Sequence, residues 1–443
     1  MTPKAERFTI HIVRYICSPS EQHFTEEETY TRTRRRVEFA ETITPEAYTS
    51  DAFFAVERER IFASGWVAAG PSAAVRNPGE LLVADIAGRS VIVVRGLDGE
   101  LRAFYNTCRH RGTRLLPPGP GRVKRSIRCP YHSWAYSLNG SCIGTPLFEG
   151  SDIPDDQRAV FDMVGVAAFD KADYGLLEVR AECWGPLALV CLDDDAPSLS
   201  EHLGDLPRRT AGYRLNEWEI ARTADYEVDA NYKLLAENFM EYYHLPWVHP
   251  GLVKVSPIEA HHRWQGRGMY TGMCTNPIAA ESEQGGWQVG LPAISGLGES
   301  DASSARFIWL FPNVAINVLP NHLFLIHADP VGPARTRETT YLLIHPEPAS
   351  DAHSEEAVDR LAAFWDEVNR EDIEIVERVQ QGLATTPFPG GRLCYRFEEP
   401  LHRFQNMIID RMVGVWRVPP GDEAESAPMF APQDPGAPAC WER

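Results

Sequence analysis

An α+β fold is expected from this sequence, with a small all-β domain preceding a larger domain of strands and helices. Three patterns carry that expectation. Between residues 65 and 165, short β-branched runs are separated by Gly and Pro turns, which reads as a small β-sandwich or barrel. Further on, Phe307–Phe311, His322–His327 and Thr339–His345 read as strands. From about Ser354 to Gly382, Leu361, Phe364, Trp365, Val368, Ile375, Val376 and Val379 recur at helical spacing along one apolar side.

Composition sets the outer bounds. With 443 residues, the chain has material for two or three domains. Hydrophobic residues make up 44% and charged residues 24%, an ordinary globular balance. The 43 Lys and Arg face 62 Asp and Glu, a formal charge of -19. Such a surface repels nucleic acid and anionic membranes, so neither is expected as a partner. No apolar run approaches the roughly 18 residues of a membrane span. The nine cysteines, odd in number and widely scattered, point to reduced thiols and a cytoplasmic location, any paired use being metal ligation.

In chain order, residues 1 to about 40 are polar, carry the run Arg32-Thr33-Arg34-Arg35-Arg36 and show no period. They read as a flexible or loosely docked arm. Phe8–Cys17 is mildly apolar, but His11 and Arg14 interrupt it and no small-residue cleavage site follows, so no signal peptide is expected. Thr44-Pro45-Glu46 opens a helix, followed by the core candidates Phe53, Phe54, Val56, Ile61 and Phe62. Leu81–Ile86, Ser90–Arg95 and Leu101–Tyr105 read as strands, the last two joined by the turn Leu97-Asp98-Gly99-Glu100. Leu187–Leu192 reads as a buried strand, and Asn313 to Asn321 as a connection between two later ones. Residues 419–443, rich in Pro, Ala, Gly and acid, are expected to be disordered. There is no internal repeat and no Gly-rich phosphate loop.

Two motifs carry chemistry. Cys108-x-His110 is followed, after eighteen residues, by Cys129-x-x-His132. A binuclear iron–sulfur centre with two thiolates on one iron and two imidazoles on the other needs that donor set, and so does a mononuclear zinc site. The second motif is Ala236–His249, with His244 and His249 preceded by Glu237 and Glu241. As one helix, Glu237, Glu241 and His244 fall at i, i+4 and i+7 on one face, and Pro246 bends or ends it. Neutral imidazoles near carboxylates suit a metal.

Asn106-Thr107-Cys108-Arg109-His110-Arg111-Gly112 and Cys129-Pro130-Tyr131-His132-Ser133-Trp134 closely resemble the two cluster loops of Rieske proteins. With the second motif added, residues 65 to 415 resemble the oxygenase (α) component of Rieske non-haem iron oxygenases. The resemblance implies residues 1–64 as an N-terminal arm with helices and 65–165 as a Rieske β-sandwich. It implies residues 166–418 as a helix-grip (START-like) catalytic domain with an antiparallel sheet, ahead of the tail at 419–443. It further implies a [2Fe-2S] cluster on Cys108, His110, Cys129 and His132, and a mononuclear Fe(II) on His244, His249 and Asp372. Glu371 and Asp366 are the alternative carboxylates; a solvated acidic helix face is the bland reading of all three. Glu241 is expected to link the partner subunit's His132 to His244, and Asn231 is grouped with it as catalytic.

In the family, electrons from NAD(P)H reach the cluster through a separate flavin and iron–sulfur reductase. They pass to the iron of an adjacent subunit in a trimer, where O2 oxidises a small organic substrate. Many members have aspartate where this chain has Glu241. Glutamate there resembles the quaternary-ammonium oxygenases such as carnitine monooxygenase. That implies hydroxylation or N-demethylation of a quaternary ammonium or N-methyl compound, with aromatic faces around the cation. Tyr243, Trp247 and Trp309 are candidate substrate contacts, from a group that also includes Phe239, Tyr242, Trp264 and Tyr270. Two other readings stay open: an oxygenase acting by aromatic-ring hydroxylation or O-demethylation, and a plain Rieske electron carrier.

Overall fold

The computed structural model describes residues 19–148, 169–254, 256–275, 291–347, 355–385, 388–419 and 427–428. Its N-terminal half is built from β1 (Trp66–Pro71), β2 (Glu80–Ile86), β3 (Arg89–Arg95), β4 (Leu101–Tyr105), β5 (Gly119–Arg122), β6 (Ser126–Arg128), β7 (Ala135–Ser137), β8 (Cys142–Gly144), β9 (Glu178–Trp184) and β10 (Leu187–Cys191). Seven of these form one sheet, ordered β1-β10-β9-β4-β3-β2-β5, and β6-β7-β8 form a second. The expected hairpin turn joins β3 to β4, with Gly99 at φ 85° and Asp98 accepting from the Glu100 N–H.

Strand alternation decides where each side chain goes. Leu81, Val83, Ile92, Val94 and Phe104 face one core, shared with Cys108, Cys129, Trp134 and Tyr136. Their neighbours Leu82, Val91, Val93 and Ala103 face the other way, into the core that also holds Tyr232, Leu235, Ala236 and Met240. One sheet therefore braces both chemical motifs.

The second half is an eight-stranded antiparallel sheet of β11 (Glu219–Val228), β12 (His261–Arg263), β13 (Tyr270–Thr275), β14 (Ala305–Leu310), β15 (Val314–Val318), β16 (Leu323–Gly332), β17 (Arg335–Ile344) and β18 (Ala427–Pro428). Its spatial order is β11-β17-β16-β15-β14-β13-β12-β18. Three helices pack with it: Tyr232–Phe239, Glu355–Leu383 and Tyr395–Met412. This is the Rieske β-sandwich and antiparallel catalytic sheet that the resemblance implied. Among the described residues, no helix is long and apolar enough to cross a membrane.

Three expectations need correction, and one helix was not foreseen. The connection from Asn313 to Asn321 contains a strand, β15, paired on both sides. The N-terminal arm is docked from Phe24 onward. Phe24, Tyr30 and Phe53 share a core with Tyr232, Phe404 and Ile408, and Arg34 pairs with Asp410 at 2.8 Å. Residues 1–18 of that arm, with the Phe8–Cys17 run, lie outside the described residues. In the tail, Ala427–Pro428 pair with His262–Arg263, the remainder beyond Pro419 also lying outside. Finally, Tyr395–Met412 is an unexpected helix, with Pro400 inside it and His402, Arg403, Gln405, Asn406 and Asp410 all buried. Two of them reach partners outside the helix: His402 Nε2 bonds the Thr33 carbonyl and Arg403 donates to the Gly266 carbonyl.

Candidate active site

The single helix expected through His244 does not form. Asn231 caps the helix Tyr232–Phe239 by accepting from the Lys233 N–H at 3.0 Å, and the helix stops at Phe239. Past Met240, the Glu241 carboxylate accepts the backbone N–H groups of Tyr243 and His244, which competes with helical bonding and reorients the chain. A short turn, Leu245–Val248 with Pro246 in it, then delivers His249. Glu237 and Glu241 therefore point to different places. Glu237 is buried against Tyr48 Oη (2.6 Å) and Gln405 (2.9 Å), and burial, only partly offset by those bonds, pushes its pKa up to about 7. Glu241 turns to the histidines.

His244, His249 and Asp372 come together, with one ligand atom from each within 4.8 Å of the others. They are the one such group found among the described residues. Asp372 Oδ1 lies 2.8 Å from His249 Nε2 and 3.5 Å from His244 Nε2. Each ring is gripped from behind by a glutamate. Glu241 Oε1 is 2.5 Å from His244 Nδ1, and Glu371 Oε2 is 2.6 Å from His249 Nδ1. A carboxylate on Nδ1 fixes the tautomer and leaves Nε2 as the metal-binding nitrogen. Asn238 steadies the third member by donating to Asp372 Oδ1 at 2.6 Å. Burial opposes charge on both imidazoles, but Glu241 raises the pKa of His244, and Asp372 with Glu371 raises that of His249. Two imidazoles and one carboxylate with space before them suit Fe(II) as a facial triad. Of the alternative carboxylates, Glu371 orients a ligand, and Asp366 is engaged with Tyr226 and Arg370.

The triad opens on a narrow cavity of about 60 Å³. Its walls carry the rings of Phe239, Tyr242, Phe307, Phe324 and Trp365, the last two stacked at 4.9 Å. The expected substrate contacts fall elsewhere. Tyr243 is 54% exposed and stacks on Phe397, and Trp247 is 80% exposed. Trp309 is buried between Phe239 and Phe404 and lines a smaller adjoining cavity that also touches Asp372. Asn231 is committed to its cap and to the Pro333 carbonyl, and does not line the cavity. Sequence reading missed Phe307, Phe324 and Trp365 because it treated them as structural. Strand alternation on β14 and β16 was the available signal for the first two.

At the other motif, Cys108 and Cys129 are buried and unpaired by any disulfide. The His110 and His132 rings sit 4.7 Å apart, and His110 stacks on Trp134 at 4.9 Å. His110 Nδ1 is buried without a partner among the described residues, as a nitrogen awaiting a metal would be. Burial, with His132 and Arg111 nearby, lowers the His110 pKa. Burial pushes both thiols up, but at Cys129 the backbone N–H groups of Tyr131 and His132 bring the pKa below its ordinary value. Tyr136 Oη lies 3.2 Å from Cys108 Sγ and accepts the Arg109 N–H at 2.9 Å. Two cysteines with hydrogen-bonded sulfurs beside two histidines are the donor set of a Rieske cluster.

Comparison with known families agrees with both sites. The Rieske [2Fe-2S] domain profile matches residues 65–160, and the ring hydroxylating alpha subunit (catalytic domain) profile matches residues 215–414. The chain belongs to the Rieske non-haem iron oxygenases. This Rieske oxygenase is 28% identical to the glycine betaine monooxygenase oxygenase subunit of Chromohalobacter salexigens, over 83% of this chain and 84% of that protein. It is 28% identical to the carnitine monooxygenase oxygenase subunit of Escherichia coli, over 80% of this chain and 87% of that protein. Its structure is similar to that of a quaternary ammonium Rieske monooxygenase, with TM-score 0.71 and 25% identity, covering 84% of this chain and 96% of the other. Naphthalene 1,2-dioxygenase shares the fold at TM-score 0.67 and 19% identity, over 89% of this chain and 96% of the other. A larger cleft of the oxygenase, about 940 Å³ between β2 and the β16–β17 edge, is lined by none of the three triad residues.

Proposed function

We propose that this oxygenase hydroxylates a methyl group of a small quaternary ammonium or N-methyl compound, releasing formaldehyde by demethylation. The supporting observation is the cavity beside His244, His249 and Asp372, walled by Phe239, Tyr242, Phe307, Phe324 and Trp365. A trimethylammonium group is attracted to aromatic faces, each worth roughly 0.5–2 kcal/mol once desolvated. The Glu241 carboxylate also lines the cavity and adds negative charge beside it. Glu241 and Glu371 hold the two imidazoles for metal, Asn238 holds Asp372, and the apolar walls exclude water from the reacting methyl group.

Bound Fe(II) supplies dioxygen activation; the cluster supplies electrons singly. One oxygen atom enters a methyl C–H bond and the other leaves as water, consuming two electrons and two protons. The carbinolamine so formed breaks its C–N bond to give formaldehyde and the demethylated amine.

The electrons come from NAD(P)H through a separate flavin and iron–sulfur reductase. They cross between subunits of a homotrimer along the partner subunit's His132, Glu241 and His244. Two features support that path: His132 is exposed, and Glu241 already grips His244 Nδ1. The seven described cysteines, all without disulfides, support a cytoplasmic setting.

The test is oxygen uptake with a surrogate reductase across a panel of quaternary amines and aromatic acids. The proposal expects uptake matched by formaldehyde with at least one trimethylammonium compound. Coupled uptake with aromatic acids only would overturn it in favour of ring hydroxylation or O-demethylation.

A further inference from the structure

Each oxidation consumes two protons, yet the cavity beside the triad is walled largely by aromatic rings. The carboxylates that touch the triad are engaged: Asp372 completes it, and Glu241 and Glu371 hold the two imidazoles. Glu338 is not engaged in this way. It lies on β17 between Tyr226 of β11 and Ala328 of β16, and it is 2% exposed. Its Oε1 accepts from Asn369 Nδ2 at 2.6 Å, and its Oε2 has no hydrogen-bond partner among the described residues. No Lys, Arg or His pairs with it there, and it makes no hydrogen bond to a triad residue. Burial, opposed by the Asn369 bond and reinforced by the charge of Asp372, raises its pKa to about 7. Glutamine would serve Asn369 equally well without the cost of burying an acid.

Space connects this acid to the site. Glu338 lines a cavity of about 20 Å³ together with Asn238, Asn369 and Asp372, closed by Trp309 and Val376. Asn238, Phe239, Ile326, Asn369 and Asp372 line this cavity and the reaction cavity alike, so the two adjoin. A polar space of that size holds one water, and these side chains supply the two to four partners it needs. The groups that face Glu338 are few. From the long helix comes Asp372, and from β11 comes Tyr226, whose Oη donates to Asp366. Arg370 pairs with Asp366 at 2.9 Å and lies over the Tyr226 ring at 5.5 Å. β16 and the helix Tyr232–Phe239 bring Ala328, Ile326 and Asn238, which do not titrate.

We propose that Glu338 supplies a proton for oxygen reduction, passing it from Oε2 through a water in the small cavity to the reaction cavity. The O–H bond at Glu338 breaks, and its proton leaves in the water formed from the second oxygen atom. Both electrons come from the cluster and the other proton from solvent. The carboxylate is recharged from the Tyr226 side, where Asp366 is 40% exposed. This rests on the oxygenase reaction and not on the substrate being an amine.

The experiment has two arms. The first is infrared difference spectroscopy of the wild type against Glu338→Gln at about pH 6, with the mononuclear site metal-free and then zinc-loaded. In both forms a neutral-carboxyl band that the variant lacks is expected, fading as pH rises. Absence of that band from the zinc-loaded protein overturns the inference, because the acid would then be ionised beside bound metal. The second arm is turnover with a surrogate reductase on whichever substrate of the panel is consumed, amine or aromatic. Glu338→Gln is expected to lower kcat about 100-fold or more, with ferrous-iron affinity and the Rieske spectrum unchanged. The wild-type kcat is expected to fall as pH rises through the titration of Glu338, and the variant is expected to lack that limb. An unchanged kcat, or a limb that survives in the variant, overturns the inference. So does loss of iron or cluster in the variant, which makes Glu338 a structural support of Asn369. Should the variant fail to fold, the wild type decides alone: a kcat independent of pH and without a solvent isotope effect overturns the inference. Turnover of aromatic acids only removes the proposed function and leaves both arms standing.

Discussion

Replacing Glu371 with alanine removes the carboxylate that sits 2.6 Å from His249 Nδ1, leaving Asp372 as the ring's remaining contact. Loss of such a partner ordinarily lowers metal affinity about 10–100-fold, which is roughly 1.4–2.7 kcal/mol. Exposure decides where in that range each glutamate falls. The Glu371 side chain is 39% exposed and water screens it, whereas Glu241, which holds His244, is 11% exposed. Glu371→Ala is therefore expected near tenfold and Glu241→Ala near 100-fold. Asp372→Ala, which removes a ligand itself, should abolish binding at the mononuclear site. The assay is competition for ferrous iron against a chromophoric chelator, with the Rieske absorbance as the internal control for folding. The reasoning fails if Glu371→Ala loses the iron outright while Asp372→Ala keeps it, because Glu371 would then be the ligand.

Three further outcomes follow from other parts of the molecule. Tyr136→Phe deletes the hydroxyl 3.2 Å from Cys108 Sγ, so the cluster's reduction potential should fall by roughly 60 mV, read by spectroelectrochemical titration; an unchanged potential would rule out that bond. Glu237 has its pKa raised from 4.5 to about 7 by burial. As pH rises through that window the unfolded chain ionises first, so the wild type loses stability that Glu237→Gln keeps. The variant's advantage should grow by up to about 3 kcal/mol between about pH 5 and pH 8 in thermal unfolding, and a gap independent of pH would refute this. Lys233 and Glu57 are paired at 2.9 Å with side chains 1% and 0% exposed, so Lys233→Met should destabilise by about 3–5 kcal/mol, with partial recovery on adding Glu57→Gln.

The sequence carried the chemistry further than it carried the walls around it. Cys108, His110, Cys129 and His132 are spaced within tight loops, so local order alone announces them. His244 and His249 are equally local. Asp372 was harder, because Glu371 is adjacent and only the tertiary fold decides which carboxylate reaches both Nε2 atoms. The helix assumed through His244 failed because Glu241 bonds the backbone ahead of it, a competition that a 3.6-residue period does not register. The aromatic walls come from β14, β16, two helices and the Tyr242 loop, so their convergence is a property of tertiary packing and strand register. The helix Tyr395–Met412 escaped notice because polar residues are buried in it alongside Phe404, Met407 and Ile408, and Pro400 lies inside it. The N-terminal segment misled for a related reason. Its Arg34 is consumed by the buried Asp410, a partner some hundreds of residues away that composition does not reveal.

Iron counting on the wild type and on His244→Ala, each assayed for turnover with the Rieske spectrum as a control, bears on all of this at once. The wild type should contain three irons per chain, two in the cluster and one at His244, His249 and Asp372. The variant should keep two, keep its Rieske spectrum and lose oxygen-coupled turnover. Two irons in an active wild type, or turnover that survives in His244→Ala, would contradict the assignment of this triad as the oxygen-activating centre.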